Sequence, residues 1–421
     1  MERVAAVCRS FRAVARFRRF ETDADARRLA RVADVGDLRR LAKRRLPAGC
    51  FDYIDGAAED ELTAGRNVAA FAQWQFRPRV LRDVSAVDTT ATVLGEPTAF
   101  PLLIAPTGFG RIARSPGELA VAAAAQRAGV PYSLSTMGTR SIEEVAAVNS
   151  GRKIFQVNLL RDRSLVSDQL ARARDAGYEA VMLSVDTAVL GRRERDVRHG
   201  FTMPPQLGVD TLLQGLLHPA WTLDFLRAAP IELANMAPSA TSDPGDAVVL
   251  ADYIRSQFDP SLSWDDIEWF RQEWPRKIMV KGIQGTADAV LAAQAGVDAV
   301  ILSNHGGRQL DGAPAPADLI RPVRDALGTS AGAVPELICD GGVRRGSDIV
   351  KALALGADSV MVGRACLYAL AAAGEAGVDW VLEFLRDGMV RTMALAGVTS
   401  CAELTSDLIE RVGEAHDAAG R

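Results

Sequence analysis

Eight short runs rich in Val, Ile and Leu recur along this chain, each followed by alanines and charges at helical spacing, and no other feature constrains the fold as much. They are PLLIAP (Pro101–Pro106), YSLST (Tyr132–Thr136), IFQVN (Ile154–Asn158), AVMLSVD (Ala180–Asp186), KIMVKG (Lys277–Gly282), DAVILSN (Asp298–Asn304), ELICDGG (Glu336–Gly342) and SVMVG (Ser359–Gly363). Strands that alternate with helices and are apolar on both faces belong to a parallel sheet covered on both sides. Eight is also the number that closes a barrel. A doubly wound open sheet is the rival, but no G-x-G-x-x-G turn follows the first run. The expected fold is α/β, a (β/α)8 TIM barrel.

Most neighbouring runs start about 20–35 residues apart, as one strand–helix unit requires, but the fourth and fifth are separated by nearly 100. The surplus, 198–262, reads as an insertion rising from the C-terminal rim, where barrel loops carry function. Its segment LLQGLLHPAWTLDFL (Leu212–Leu226) is apolar and aromatic with one Asp. It reads as a cover over the barrel or a subunit interface; the alternative is peripheral membrane contact through 206–226.

Upstream, VGDLRRLAKRRLP sets Leu38, Leu41 and Leu46 on one helical face and stops at Pro47; FRPRVLRDVSAVDTT then reads as an extended arm. The first twenty residues carry Arg3, Arg9, Arg12, Arg16, Arg18 and Arg19 against Glu2. Without an apolar core or cleavage site they are no secretory signal. They read as a frayed or loosely docked arm, with a transit peptide and a membrane-surface helix as alternatives. The expected division is a basic arm (1–34), N-terminal helices and extended arm (35–100), the barrel (101–408) and a tail (409–421).

Composition excludes several classes. A net charge of −4 and a pI near 5.8 argue against nucleic acid as a partner. No uncharged apolar stretch reaches the roughly 18 residues of a spanning helix. Five scattered cysteines without a CxxC pair read as reduced thiols in a cytoplasmic protein, with no metal site.

In such a barrel the informative residues sit where each strand runs out. Those ends are polar: Thr107, Ser135, Gln156, Asp186 with Arg193, Lys281, Ser303–Asn304–His305, Asp340 and Arg364. DGGVRRG (Asp340–Gly346) and GRA (Gly363–Ala365) combine glycines that admit an anion to the backbone with arginine forks, the makings of a phosphate site. SNHGGRQLD (Ser303–Asp311) sets His305 in a double-glycine turn with Arg308 three residues on, a general base beside an anion-binding group. Asp186 is the candidate to orient that imidazole. Arg193 and Arg308 suggest a carboxylate substrate, while at least one of Arg192, Arg193 and Arg195 reads as a solvated loop charge. Lys281 lies in an otherwise apolar strand, where a buried ammonium needs an anionic partner or a role such as stabilising charge on an electron-accepting ring.

The segments LPxxxFDYIDGAAEDE, IAPTG, FQ, VDTxxxGRRERD, VKG, SNHGGRQLD, DGGVRRGSDIVKALALGA and GRA resemble those of the FMN-dependent 2-hydroxy-acid oxidising enzymes, from Val35 to Leu408. The resemblance is closest to the bacterial flavin-type L-lactate and mandelate dehydrogenases, because GLLHPAWTLDFLRAAPIELAN in the insertion also looks like theirs. It implies FMN across the barrel mouth, with Pro106, Thr107, Gly108, Ser135, Gln156 and Ser184 on the ring and its side chain and Lys281 stabilising the reduced ring. Ser303, Asp340, Gly341, Gly342, Arg344, Gly363 and Arg364 would hold the ribityl chain and phosphate. Tyr53, Arg193 and Arg308 would bind the substrate carboxylate, with His305 the base and Asp186 its partner. Tyr53 comes from the resemblance alone.

The implied reaction oxidises a small (S)-2-hydroxy acid, L-lactate first among them, and passes electrons to a quinone or protein carrier. The implied assembly is a homo-oligomer, a tetramer by analogy; the implied place is the cytoplasm or the inner face of the membrane. Asn158 stands where the family usually has a tyrosine that helps hold the substrate hydroxyl; it is shorter and supplies no phenol, which bears on turnover rate and substrate type. Met137 stands where plant-type oxidases have a tryptophan and points to a different or roomier pocket. Gly108, often alanine in oxidases, tilts toward a dehydrogenase. The alternatives are an O2-using oxidase or monooxygenase, a mandelate-type substrate, and an amine- or peptide-modifying flavoprotein on the same scaffold.

Overall fold

The computed structural model describes residues 21–199, 209–236, 257–329 and 333–413. Eight parallel strands close into a barrel: β1 (Leu102–Ile104), β2 (Tyr132–Ser135), β3 (Lys153–Asn158), β4 (Ala180–Ser184), β5 (Lys277–Ile283), β6 (Ala299–Leu302), β7 (Glu336–Asp340) and β8 (Ser359–Val362). The last ladder, Val360 opposite Leu102 through Val362 opposite Ile104, joins β8 to β1. The fold is the expected (β/α)8 barrel.

Strand alternation explains both faces. Leu103, Ile154, Met182, Met279, Ile301, Ile338 and Met361 pack inside the barrel. Leu102, Ile104, Phe155, Val181, Val280, Val300, Leu337 and Val360 face the helices. Each such side chain contributes about 1.5–3 kcal/mol by burial, so an aspartate in place of Ile301 would break the interior. A hairpin, Ala91–Val93 with Glu96–Thr98, sends Val93 and Leu94 into the same interior cluster. Glu336 fixes it by accepting from Leu94 N at 2.7 Å and Gly95 N at 3.0 Å.

The same period of two delivers chemistry to the C-terminal rim. Two residues beyond Ile154, Met182, Met279, Ile301 and Ile338 stand Gln156, Ser184, Lys281, Ser303 and Asp340. These five interior columns therefore end polar.

The N-terminal helices brace that rim. Helix Val35–Arg45 is capped by Asp34, which accepts from Asp37 N at 2.9 Å, and it buries Val35, Leu38 and Ala42. Leu38 and Leu46 are fully buried as expected, while Leu41 is half-buried. This helix packs on the closing helix Arg364–Ala396, which is long and apolar enough to cross a bilayer but whose apolar window is 78% buried in the protein. A short strand, Trp74–Phe76, leads into the extended arm and pairs antiparallel with Ile409–Arg411. The segment assigned to a tail thus starts inside the fold, and 414–421 lie outside the described residues. So do 1–20 of the basic arm.

Of the insertion, 200–208 and 237–256 lie outside the described residues. Helices Val209–Leu217 and Pro219–Arg227 are described. The second packs down through Trp221, whose Nε1 donates to Ile112 O at 2.8 Å, and Asp224, which accepts from Ser115 N and Oγ at 2.8 and 2.7 Å. Leu216, Leu217 and Leu226 face outward, each more than 70% exposed.

Candidate active site

A cavity of about 440 Å³ opens at the C-terminal mouth of the barrel. Tyr53, Pro106, Thr107, Gly108, Ser135, Gln156, Ser184, Arg193, Lys281, His305, Arg308, Asp340, Gly341, Gly342, Arg344, Gly363 and Arg364 all line it. Three residues singled out from the sequence, Asp186, Ser303 and Asn304, are not among those that line it.

His305 enters the cavity from the turn after β6 in a left-handed conformation (φ 57°) that a non-glycine residue holds only with support. Its Nδ1 faces the Asp186 carboxylate at 3.1 and 3.2 Å. Burial pushes the Asp186 pKa up, but the charge and hydrogen bond of His305 and the charge of Lys281 outweigh it, leaving it below the usual range. With Nδ1 engaged, Nε2 is the ring nitrogen left for the cavity.

Lys281 has the anionic partner its burial demands. Its Nζ lies 3.0 Å from Asp340 Oδ2 and donates to Ser303 Oγ at 3.0 Å, and Ser303 Oγ donates to Asp340 at 2.7 Å. Burial lowers the lysine's pKa, yet Asp340 and Asp186 together raise it above the ordinary value. Ser303 is therefore the link between an ammonium and a carboxylate.

Across the mouth, Arg308 donates to the carbonyls of Tyr53 at 2.6 Å and Gly56 at 3.0 Å, its guanidinium 4.9 Å over the Tyr53 ring. Burial, and next Arg193, push the Arg308 pKa down. Burial also raises that of Tyr53 against the pull of Arg308 and Arg193, so its phenol stays protonated at neutral pH. Arg193 lies 3.6 Å from Asp196, which also lines the cavity and whose Oδ1 is buried without a partner. Arg192 is exposed, whereas Arg195 pairs with Asp52, Asp55 and Glu61.

The opposite end suits a phosphate. Gly341 and Gly342 turn at φ 123° and 83°, and a Cβ on Gly342 would sit 1.9 Å from Asn67 O. Among the described residues Arg344 has one protein acceptor, Val343 O at 2.8 Å, and its pKa is pushed down by burial, with Arg364 adding to the effect. Arg364 spends three donors on the carbonyls of Ile54, Gly306 and Gly56, which leaves two of its five N–H groups for a ligand. Two guanidinium groups without a carboxylate between them fit a dianion. Along the floor Ser135 Oγ donates to Gln156 Oε1 at 2.9 Å, while Gln156 Nε2 donates to Ser184 Oγ and Asn158 Oδ1, each at 3.1 Å. This polar ladder between Lys281 and the Thr107–Gly108 loop suits a planar heterocycle with a polar edge, so the residues present fit FMN.

Sequence reasoning missed four contributors. Asn67 exchanges reciprocal 2.8 Å hydrogen bonds with Asn304 and gave no signal, coming from a helix outside the barrel. Arg195, Asp196 and Gln309 lay within motifs already quoted. Of the other histidines, His199 pairs with Asp52 at 2.6 Å and His218 Nδ1 lies 2.8 Å from Gln214 O; His416 is outside the described residues.

A family model described as FMN-dependent dehydrogenase matches residues 42–411. A putative L-lactate dehydrogenase of Mycobacterium tuberculosis is 45% identical over 390 residues, 92% of each chain. The (S)-mandelate dehydrogenase of Pseudomonas putida is 42% identical over 380 residues, 90% of this chain and 94% of that one. A crystal structure of a monotopic membrane protein, (S)-mandelate dehydrogenase, superposes with a TM-score of 0.85 at 41% identity, covering 90% of this chain and 100% of the other.

Proposed function

The chain belongs to the FMN-dependent dehydrogenase family, with relatives named for L-lactate and (S)-mandelate, both 2-hydroxy acids, and we propose that it oxidises L-lactate to the 2-oxo acid and passes the electrons to a quinone or protein carrier. The observation that carries this reading is the convergence of His305, Arg193, Arg308 and Tyr53 on one cavity. Two electrons and two protons leave a 2-hydroxy acid on oxidation; FMN, when bound, would supply the acceptor for the electron pair and for the proton that His305 does not take. The protein's own part is orientation and proton handling. Arg193 and Arg308 hold the substrate carboxylate, with the protonated Tyr53 phenol beside them. His305 Nε2 takes a proton from the substrate, and Asp186 steadies the imidazolium that forms. Lys281 holds positive charge against the floor of the cavity. Arg344, the Gly341–Gly342 turn and the free donors of Arg364 would hold the phosphate.

Anaerobic addition of L-lactate should bleach the yellow protein. No bleaching by lactate, glycolate or mandelate would remove the reading, and rapid reoxidation on readmitting oxygen would favour an oxidase over a dehydrogenase. A mandelate-type substrate is the second reading, favoured by the apolar side chains of Phe109, Met137, Leu190, Val197 and Phe258 and the short Asn158 among the residues that line the cavity.

We place the protein in the cytoplasm as a homo-oligomer, held at the inner face of the membrane by the exposed Leu216, Leu217 and Leu226. Support comes from the monotopic relative. Retention in the supernatant with anionic lipid vesicles at low salt would end the membrane proposal.

A further inference from the structure

We propose that Gln309 is a positioning residue whose side-chain amide fastens the loop carrying Asp186 to the loop carrying His305 and so sets the register of that pair. The inference rests on the catalytic reading of the pair. Asp186 follows β4 and His305 follows β6, and β5 lies between these strands. No ladder hydrogen bond therefore fixes one loop against the other. Gln309 supplies the missing link: its Nε2 donates to Asp186 O at 2.8 Å and Val189 O at 2.9 Å, while its Oε1 accepts from Gly191 N at 3.1 Å. One of the bonded carbonyls belongs to Asp186 itself.

The fit is specific to an amide, which carries two donors and an acceptor on one planar group. A carboxylate retains only the acceptor, and a thioether has no donor and only a weak acceptor. The loops also meet closely enough to need glycine at the junction, since a Cβ on Gly191 would lie 2.3 Å from Arg308 O and 2.5 Å from Gln309 O. Because His305 sits at φ 57°, its orientation depends on what surrounds it, and Gln309 lies four residues on in the same loop.

The test uses the FMN-loaded full chain with two substitutions. Gln309→Met keeps length and volume and removes all three bonds; Gln309→Glu keeps the acceptor for Gly191 and loses both donors. Misplacement of reacting groups by 1 Å costs up to about 100-fold, so flavin bleaching at saturating substrate should slow by about 10-fold or more in both variants. KM should stay within about threefold and bound FMN should be unchanged, while amide hydrogen exchange across 186–191 accelerates. Wild-type bleaching rates in both variants, or a loss confined to KM, would overturn the proposal. Should the methionine variant lose its flavin, the glutamate variant decides. If the wild-type protein is bleached by no hydroxy acid, the functional reading falls instead, and unchanged hydrogen exchange in the variants would then overturn the proposed fastening on its own.

Discussion

His305 Nδ1 and the Asp186 carboxylate face one another at 3.1 Å, and the aspartate side chain is only 2% exposed. A buried, ionised carboxylate behind one ring nitrogen selects the tautomer with hydrogen on Nδ1 and the lone pair on Nε2, toward the cavity. Asp186→Asn keeps the shape but places an amide against Nδ1 and withdraws the charge that favours imidazolium. The expected outcome is a loss of about 100-fold or more in the rate of anaerobic flavin bleaching, with bound FMN retained. A rate within a few-fold of wild type would show that the pair is structural.

Lys281 and Asp340 form a second buried charge pair, 3.0 Å apart with side chains 4% and 10% exposed. Removing one partner of such a pair strands the other, at a cost of about 3–5 kcal/mol. Lys281→Met should therefore lower the urea midpoint even in flavin-free protein, and Asp340→Asn should do the same. A Lys281→Met/Asp340→Leu double variant should recover part of the loss. The sign of the pH dependence follows from the raised lysine pKa: its contribution is complete below the ordinary value of 10.5 and is lost as pH rises through the folded value.

The barrel and much of its rim were legible because one periodicity served both. A strand that alternates apolar residues inside and outside must end somewhere, and a polar residue in the interior column, such as Gln156 after Ile154 or Lys281 after Met279, marks where solvent or ligand begins. Tyr53 follows no such rule: it reaches the mouth from a helix outside the barrel, and only the resemblance pointed to it. Ser303 was placed in the right column but is covered by the Lys281–Asp340 pair it joins. Arg195 and Gln309 could be read as motif members but not as links, because a link is defined by two loops whose approach no local pattern encodes.

Gly108 is fixed by contact as well as by chemistry. An added Cβ would stand 2.9 Å from Met137 Cβ and 3.1 Å from Met137 O, and Phe109 N already donates to that carbonyl at 3.1 Å. Gly108→Ala must therefore push apart the loops after β1 and β2. Overpacking of this kind costs about 1–3 kcal/mol, so the thermal midpoint should fall by several degrees. If the glycine governs access to the ring, oxygen uptake after substrate reduction should change as well; an unaltered midpoint would mean that the loops yield freely.

Arg195 ties the loop bearing Arg193 to the helix bearing Tyr53, through Asp55 at 2.8 Å, Asp52 at 3.5 Å and a short contact to Glu61. Asp55, 4% exposed, also receives Arg39 and the Tyr368 hydroxyl. Burial raises its pKa, but Arg39, Tyr368 and Arg195 prevail and hold it down at about 2 against an ordinary 3.8. A depressed carboxylate contributes stability above its unfolded pKa and loses it as pH falls through the folded value. Asp55→Asn should thus be less stable than wild type at neutral pH by about 2 kcal/mol, and the gap should close between pH 3.8 and about 2. Arg195→Ala tests the link to function: loosening the carboxylate-binding wall should raise KM by about 10-fold with a smaller effect on the bleaching rate at saturation. Equal KM values in wild type and variant would mean that Arg193 and Tyr53 are held in place without it.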